Sequence, residues 1–240
     1  MSATVSETGV WRTPAPPPTS GVRRLGCAAA MVVAPWGFVI TNACYAYAIR
    51  NGGSDLTGAD ALALTAATPP AVVRVMLVAG MLGCLLLIPA VLGAFRLAPI
   101  SRLVLAGGSG MIAGYVCYFA VLNSNFMIMT MAARGGPMAD YAAVIDVSQA
   151  EPWSTWVFLL FVAGNLVGTT LFAIGLLRSR AVPVWAALGI LAWPPFHMIG
   201  LAVFGNEVPQ VIGAVLQAVG FARCAVVLAG LVRPRRSLPE

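Results

Sequence analysis

The sequence of 240 residues contains no lysine, a single histidine (His197) and few charged side chains of either sign. Charged residues make up 9% of the chain and hydrophobic residues 60%, and the mean hydropathy is +0.89. This composition excludes an ordinary water-soluble globular protein and is typical of a polytopic membrane protein. Arginine without lysine, together with abundant alanine, valine and glycine, is typical of a high-GC genome, and we expect an actinobacterial source.

Several kinds of functional site lack the residues that they need. Buried zinc and di-iron sites take three or four ligands, and a bis-histidine haem takes two histidines, whereas this chain offers one histidine and no carboxylate inside an apolar run. Neither a Walker loop nor a dinucleotide fingerprint occurs in a strand context. The five cysteines form no C-x-x-C pair, and the dispersed arginines form no single basic face. We therefore predict no metal, no cofactor and no nucleic-acid partner.

Long apolar runs dominate the rest of the chain, and a helix crosses a bilayer with about 20 such residues. We predict an all-α bundle of six transmembrane helices over residues 23–233. Residues 1–22, rich in proline, are expected to be a disordered tail, and residues 234–240 a basic tail. Residues 51–70 and 134–152 are expected to be long loops, the first with a short interfacial helix. The predicted spans are about 25–49, 71–95, 103–132, 153–177, 181–205 and 208–232.

The charges are divided between the two ends of these spans. Arginines precede the first span, occupy the turns near residues 96–102 and 178–180, and end the chain, whereas the opposite ends carry most of the acids. By the positive-inside rule both termini are cytoplasmic, and the protein is a multi-pass protein of the cell membrane. Attraction to anionic lipid accounts for the basic tail, so membrane lipids are the expected partners.

The stretch from Ala186 to Gln210 holds the one histidine within a span. Pro194 and Pro195 precede His197, remove two backbone donors and predict a kink. Broken backbone at membrane depth needs neighbouring protein or water to satisfy it, so this stretch should face the bundle or a wet cavity. An ionisable residue at such a depth is a functional candidate.

Polar side chains from four predicted helices lie about 12 to 16 Å below the outer membrane face, at 1.5 Å of rise per residue. Either they pair as interhelical hydrogen bonds or they line a pocket, and both interpretations stay open. Near the outer rim, aromatic residues fit either an interfacial belt or the pocket wall. The candidate binding residues are Asn42, Tyr45, Arg74, Asn123, Asn125, Trp153, Trp156, Trp193 and Gln217.

Acid–base chemistry is the catalysis that these residues allow. His197 would exchange a proton at the floor of the pocket, and Glu151, Asp146 and Glu207 would be acids at its mouth. Aromatic walls would stabilise a developing cation.

Glycines recur at four-residue spacing, as in Gly110 with Gly114 and Gly164 with Gly168. Such spacing fits close packing within the bundle, which we favour, or a dimer face.

The segment Leu176 to Gly189, LLRSRAVPVWAALG, carries a resemblance. It resembles the turn between the fourth and fifth helices of an uncharacterised bacterial family of six-helix membrane proteins. The matching residues are Arg178 and Ser179, then Val182 and Pro183, then Leu-Gly as the next helix begins. The resemblance implies a fold and no activity. A weaker similarity is to small integral-membrane terpene cyclases, although those usually have seven spans and the acids here are in loops.

We expect an outward-facing intramembrane pocket for a small lipophilic, isoprenoid-like molecule, with acid-initiated isomerisation or cyclisation as its reaction. The alternative is a non-enzymatic membrane partner or regulator that uses its outer loops or N-terminal tail. A transporter is disfavoured, because the two halves show no internal repeat.

Overall fold

The computed structural model describes residues 19–200 and 206–230 of the chain. These residues form helices and no strand, which confirms the all-helical prediction. The predicted basic tail and most of the proline-rich tail lie outside the described residues, as does the last part of the predicted fifth span. The helices are α1 (Thr19–Ile49), α2 (Gly58–Ala67), α3 (Pro70–Phe95), α4 (Arg102–Arg134), α5 (Met138–Ala150), α6 (Pro152–Ala163), a π-turn (Gly164–Gly168), α7 (Thr169–Ser179), α8 (Val184–Ile199) and α9 (Val208–Ala229).

Five helical segments are long and apolar enough to cross a membrane, and they match five predicted spans. They are Gly21–Ile49, Pro70–Phe95, Arg102–Arg134, Pro152–Ser179 and Val208–Ala229. The fourth joins α6, the π-turn and α7. The predicted fifth span corresponds to α8, a shorter apolar helix of 16 residues that runs through Pro194 and Pro195. The chain is therefore a multi-pass helical protein of membrane type.

The two segments expected to be long loops are largely helical. In the first, the hydroxyl of Thr57 accepts from the backbone amide of Asp60 and starts α2. In the second, α5 begins directly after Pro137. Alanine-rich sequence with no proline inside either helix, and no glycine after Gly58, favours helix in both segments. The expectation of a loop over 134–152 was wrong, because weak hydrophobicity was taken as absence of structure.

Helices α2 and α5 pack together in an outer layer at one end of the bundle. The backbone amide of Gly58 donates to Asp146 Oδ1 over 2.6 Å, and Leu62, Ala142 and Ile145 form a small apolar cluster between the two helices. Gly58 lies so close to the backbone of Ala142 that a Cβ there would collide with it. The outer layer is therefore a packed part of the fold and does not serve only to connect the long helices.

The first and last long helices run antiparallel. At one end of the bundle, a Cβ on Gly230 would lie 3.9 Å from Arg24 Nη2, so the end of α9 meets the start of α1. At the opposite end, the charge of Asp55, just after α1, acts on Glu207, just before α9. The start of α9 and the end of α1 therefore share one end of the bundle with the outer layer.

Glycines allow α4 to approach the segment from α6 to α7 closely. A Cβ on Gly114 would lie 2.7 Å from the Cα of Gly164, and one on Gly168 would lie 2.8 Å from the backbone nitrogen of Met111. Backbones this close leave no room for larger side chains. The glycine spacing thus serves packing within the bundle, as predicted.

Candidate functional site

A small cavity lies inside the bundle, towards the end that carries the outer layer. Its volume is about 30 Å³, which is room for one or two water molecules, since a single water needs about 10 to 15 Å³. Helices α1, α4, α6, α8 and α9 and the π-turn all contribute to its wall. The lining residues are Phe38, Asn42, Tyr115, Tyr118, Phe161, Asn165, Trp193, His197 and Gln210.

Asn165 is the most connected polar side chain of this wall. Its Oδ1 accepts from Trp193 Nε1 over 2.6 Å and from the hydroxyl of Tyr115 over 3.1 Å. Because Asn165 belongs to the π-turn, these two bonds join the π-turn to α8 and α4. π-Turns often occur at functional sites, where they re-aim a side chain.

A second amide pair closes the cavity on the side of α1 and α9. Gln210 Nε2 donates to Asn42 Oδ1 over 2.9 Å, and both residues are buried. Asn42 therefore holds two helices together and lines the cavity at the same time. The two interpretations left open by the sequence do not exclude one another at this residue.

Aromatic rings form most of the remaining wall. Tyr118 stacks on Phe161 with ring centroids 4.4 Å apart, and Phe38 lies 4.5 Å from Tyr115. The ring of Trp193 lies 5.4 Å from the imidazole of His197. The apolar bundle around this polar cavity gives it a low local dielectric constant, which strengthens electrostatic interactions within the cavity.

Three buried polar atoms near this cavity have no hydrogen-bond partner among the described residues: His197 Nδ1, Glu207 Oε2 and Gln210 Oε1. Leaving a buried donor or acceptor unpaired costs about 1 to 3 kcal/mol. These unpaired atoms destabilise the fold, and a bound molecule that forms hydrogen bonds with them would remove that destabilisation.

Glu207 and Asp55 bring two carboxyl groups to the outer end of the cavity. The hydroxyl of Tyr45 donates to Asp55 Oδ1 over 3.0 Å. Glu207 is 6% exposed, and burial, followed by the negative charge of Asp55, raises the pKa of its carboxyl above the ordinary 4.5. Both causes disfavour the ionised form. A carboxyl group that keeps its proton more readily than usual can serve as an acid.

The structure gathers five of the residues that the sequence singled out. Asn42, Trp193 and His197 line the cavity. Tyr45 and Glu207 belong to the group of acids at its outer end, since the charge of Glu207 acts on Tyr45. These residues come from α1, α8 and the start of α9, three segments far apart in sequence.

The other predicted residues lie away from the cavity. Asp146 bonds to Gly58 in the outer layer, and Gln217 is buried in α9 without lining the cavity. Asn125 is partly buried on α4 and also outside the lining. The remaining ones are exposed on the outside of the bundle: Arg74, Asn123, Glu151, Trp153 and Trp156.

Sequence reasoning did not assign a site role to Asn165, Tyr115 or Tyr118. A signal existed for the first, because Asn165 is the lone amide of an apolar span and follows a glycine of the close-packed pair. The two tyrosines lie too deep for an interfacial belt, which is a second usable signal.

An apolar groove of about 290 Å³ lies on the outside of the seam between α7 and α8. Leu166 and Pro194 belong to this groove, whereas their neighbours Asn165 and Trp193 line the cavity. The groove and the cavity therefore occupy opposite sides of the contact that the Trp193–Asn165 hydrogen bond closes. The other groove residues are Val167, Thr170, Leu171, Pro195 and Met198.

Among residues 19–200 and 206–230, no three histidine, cysteine, aspartate or glutamate side chains come together as metal ligands. The site is thus defined by amides, one imidazole, carboxyl groups and aromatic rings. No known protein family, curated protein or solved structure matches the chain.

Proposed function

We propose that the protein crosses the cell membrane six times, with both termini in the cytoplasm. Beyond the five long apolar segments, α8 supports a sixth crossing, because α7 ends at the arginine-rich end of the bundle and α9 begins at the end that holds Asp55. The chain has to return between them, and the 16 residues of α8 cover about 24 Å of that path. The resemblance of Leu176–Gly189 to uncharacterised six-helix membrane proteins agrees with this topology.

We further propose that the protein binds a small lipophilic molecule by its polar group, at the outward-facing cavity. The observation that carries this proposal is the group of unpaired buried atoms on His197, Glu207 and Gln210. An apolar bundle has little reason to bury such atoms unless a molecule pairs with them, and ligand sites combine apolar walls with a few convergent polar groups.

The two spaces beside the seam suit the two parts of such a molecule. The cavity of about 30 Å³ accepts only a polar head group, whereas the groove of about 290 Å³ accepts a hydrocarbon chain and approaches the lower size of ligand pockets, about 300 Å³. A ligand that uses both has to separate Trp193 from Asn165. Entry is therefore sideways, from the lipid phase.

An isomerisation of an isoprenoid-like ligand is the chemistry that this lining supports. Protonated Glu207 gives its proton to a carbon of the double bond next to the head group, where the chain passes from the cavity to the groove, and the ring face of Trp193 stabilises the carbocation. His197 then takes a proton from the neighbouring carbon, which re-forms the double bond at a new position. One proton enters and one leaves, so the reaction needs no oxidant and no co-reactant.

Binding in lipid nanodiscs tests the proposal. Farnesol and dodecanol are expected to bind the purified wild-type protein, and His197→Ala is expected to weaken both about three- to tenfold, as loss of one buried hydrogen bond predicts. Asn123→Ala, an exposed amide on α4, is the matched control and should bind as wild type. Mass spectrometry of the purified protein should show a co-purified lipophilic molecule that His197→Ala loses. Equal binding by wild type and His197→Ala would contradict the proposal.

A second candidate function, a non-enzymatic partner protein, is favoured by one feature of the outer layer. Helix α5 exposes Val144 and Val147 at 56% and 65%, on the side of the bundle that we place outside the cell. Replacing both by serine would abolish a partner complex and leave farnesol binding unchanged. In the first candidate function, the same double variant has no effect.

A further inference from the structure

Hydrogen-bond donors and acceptors are unequally satisfied around the cavity. Three donors pair within the wall: Trp193 and Tyr115 donate to Asn165, and the amide nitrogen of Gln210 donates to Asn42. The unpaired atoms include two oxygens. Gln210 Oε1 can only accept, and Glu207 Oε2 can only accept when its carboxyl is ionised. A molecule that fits this wall has to supply donors.

The two unpaired oxygens belong to one face of one helix turn. Glu207 immediately precedes α9 and Gln210 lies in its first turn, at a spacing that places side chains on the same side. Both residues are more than nine-tenths buried, at 6% and 8% exposed. His197, whose Nδ1 is the third unpaired atom, lines the cavity beside Gln210, and the two side chains interact. In the tautomer with its proton on Nε2, the Nδ1 is an acceptor.

The charge at this end of the cavity is negative. The charge that acts on Glu207 is that of a second carboxylate, Asp55, and Tyr118 of the cavity wall lies close enough to both carboxyl groups to interact with them. A positive group placed here would relieve the repulsion between the two carboxylates. The stacked rings of Tyr118 and Phe161 add a favourable surface for a cation.

The size of the cavity restricts which positive group fits. About 30 Å³ holds one or two waters, which matches the size of a primary ammonium. A primary ammonium carries three N–H donors. Their number equals that of the unpaired atoms on Glu207, Gln210 and His197.

From this match we infer that the cavity binds a primary ammonium group, so that the lipophilic ligand is an amine. The inference rests on the proposed binding function and narrows its ligand class. An ammonium paired with ionised Glu207 replaces the isomerisation, because that reaction needs Glu207 protonated. The ammonium donates to Glu207 Oε2, Gln210 Oε1 and His197 Nδ1, and the alkyl chain lies in the apolar groove beyond Trp193. An alcohol of the same chain length can offer only one donor and no charge.

The test compares dodecylamine, dodecanol and methylamine, with the full chain in nanodiscs of zwitterionic lipid near neutral pH. Dodecylamine is expected to bind wild type about tenfold more tightly than dodecanol, since a hydrogen bond to a charged group is worth about 1.5 to 3 kcal/mol. Methylamine should bind about a hundredfold more weakly than dodecylamine, because it buries no chain. Methylamine binding as tightly as dodecylamine would show a water-borne ammonium ligand and overturn the lipophilic amine.

Three variants locate the charge dependence. Glu207→Gln is expected to weaken dodecylamine about tenfold and to change dodecanol by less than about twofold, because only the charge is lost. Asp55→Asn, at an exposed position, should weaken the amine by about threefold and serves if Glu207→Gln folds poorly. Asp60→Asn, also exposed on the outer layer, is the matched control and should bind all probes as wild type.

Each result decides between the two proposals. Equal affinity for dodecylamine and dodecanol, or a Glu207→Gln variant that keeps the amine preference, would overturn the ammonium site. Dodecanol binding that depends on His197 would then still support the lipophilic ligand. Absence of binding by both long-chain probes would overturn both proposals.

Discussion

Replacing Asn165 by leucine tests whether the hydrogen bonds that join the π-turn to α4 and to α8 stabilise the bundle. Asn165 Oδ1 accepts from two buried donors, Trp193 Nε1 and the hydroxyl of Tyr115. Leucine has the same branching and the same number of side-chain heavy atoms as asparagine but accepts nothing. Asn165→Leu therefore leaves two donors unpaired without opening a large void.

The expected loss of stability follows from two limits. Hydrogen bonds in membrane bundles average about 0.6 kcal/mol, so two bonds set a lower limit of about 1 kcal/mol. An unpaired buried donor costs about 1 to 3 kcal/mol, so two donors set an upper limit of about 6 kcal/mol. The adjacent cavity of about 30 Å³ has room for water that can pair with one of them. We therefore expect the free energy of unfolding to fall by about 1 to 3 kcal/mol.

Reversible unfolding by sodium dodecyl sulfate in mixed micelles measures this loss. Asn123→Leu makes the same chemical change at an exposed position on α4 and should shift the free energy of unfolding by less than about 0.5 kcal/mol. Trp193→Phe removes one donor, and combined with Asn165→Leu it should show a coupling energy of at least about 0.5 kcal/mol. An Asn165→Leu variant as stable as the Asn123→Leu control would refute the network.

Three further predictions concern packing, pH and the outer layer. Gly114→Ala would place a Cβ 2.7 Å from the Cα of Gly164 and should cost about 1 to 3 kcal/mol in the same unfolding assay, whereas Gly26→Ala, with open space around it, should be neutral or slightly stabilising. The folded-state pKa of Glu207 is raised above the ordinary 4.5. The stability that its protonated carboxyl contributes is therefore full below pH 4.5 and is lost as the pH rises through the folded-state pKa. Glu207→Gln should abolish that part of the pH dependence of the melting temperature. Asp146→Ala removes the acceptor of the Gly58 amide of α2. It should speed proteolysis within α2 and α5 several-fold and leave the stability of the bundle unchanged.

The spans were predictable because length and hydropathy are local properties of the sequence. The predicted segments 71–95 and 103–132 correspond to Pro70–Phe95 and Arg102–Arg134, since a charged residue or a proline marks each end. Helix α5, in the segment 134–152, was missed for the same reason, whereas a short helix was expected where α2 lies. Helices α2 and α5 are too short for a span, and their stability comes from contact with one another, as between Gly58 and Asp146, which no local property reports.

The site was only partly predictable, because depth in the membrane can be counted along the chain and rotation of a helix cannot. Counting placed Asn42, Asn123 and His197 near one level, but Asn123 is exposed on α4 while Tyr115 faces the cavity. In a soluble helix the polar face reports the rotation. In α4 both the lipid-facing side and the core-facing side are apolar, so that signal is weak and a lone asparagine can lie on either.

The distribution of satisfied and unsatisfied groups explains why the outer end of the cavity, rather than its floor, is the place to look for a ligand. Where water is excluded, each polar group must find its partner within the protein, and at the floor the oxygen of Asn165 meets two donors. Toward the outer end the pairing is incomplete. The amide nitrogen of Gln210 donates to Asn42 but the amide oxygen is unpaired, and one carboxyl oxygen of Glu207 is unpaired. A bundle that needed these residues only for cohesion could hold them as it holds Asn165. Their incomplete pairing is understandable if the missing donors arrive with a bound molecule, and that makes the charge of the probe, and not only its hydrophobicity, the decisive variable.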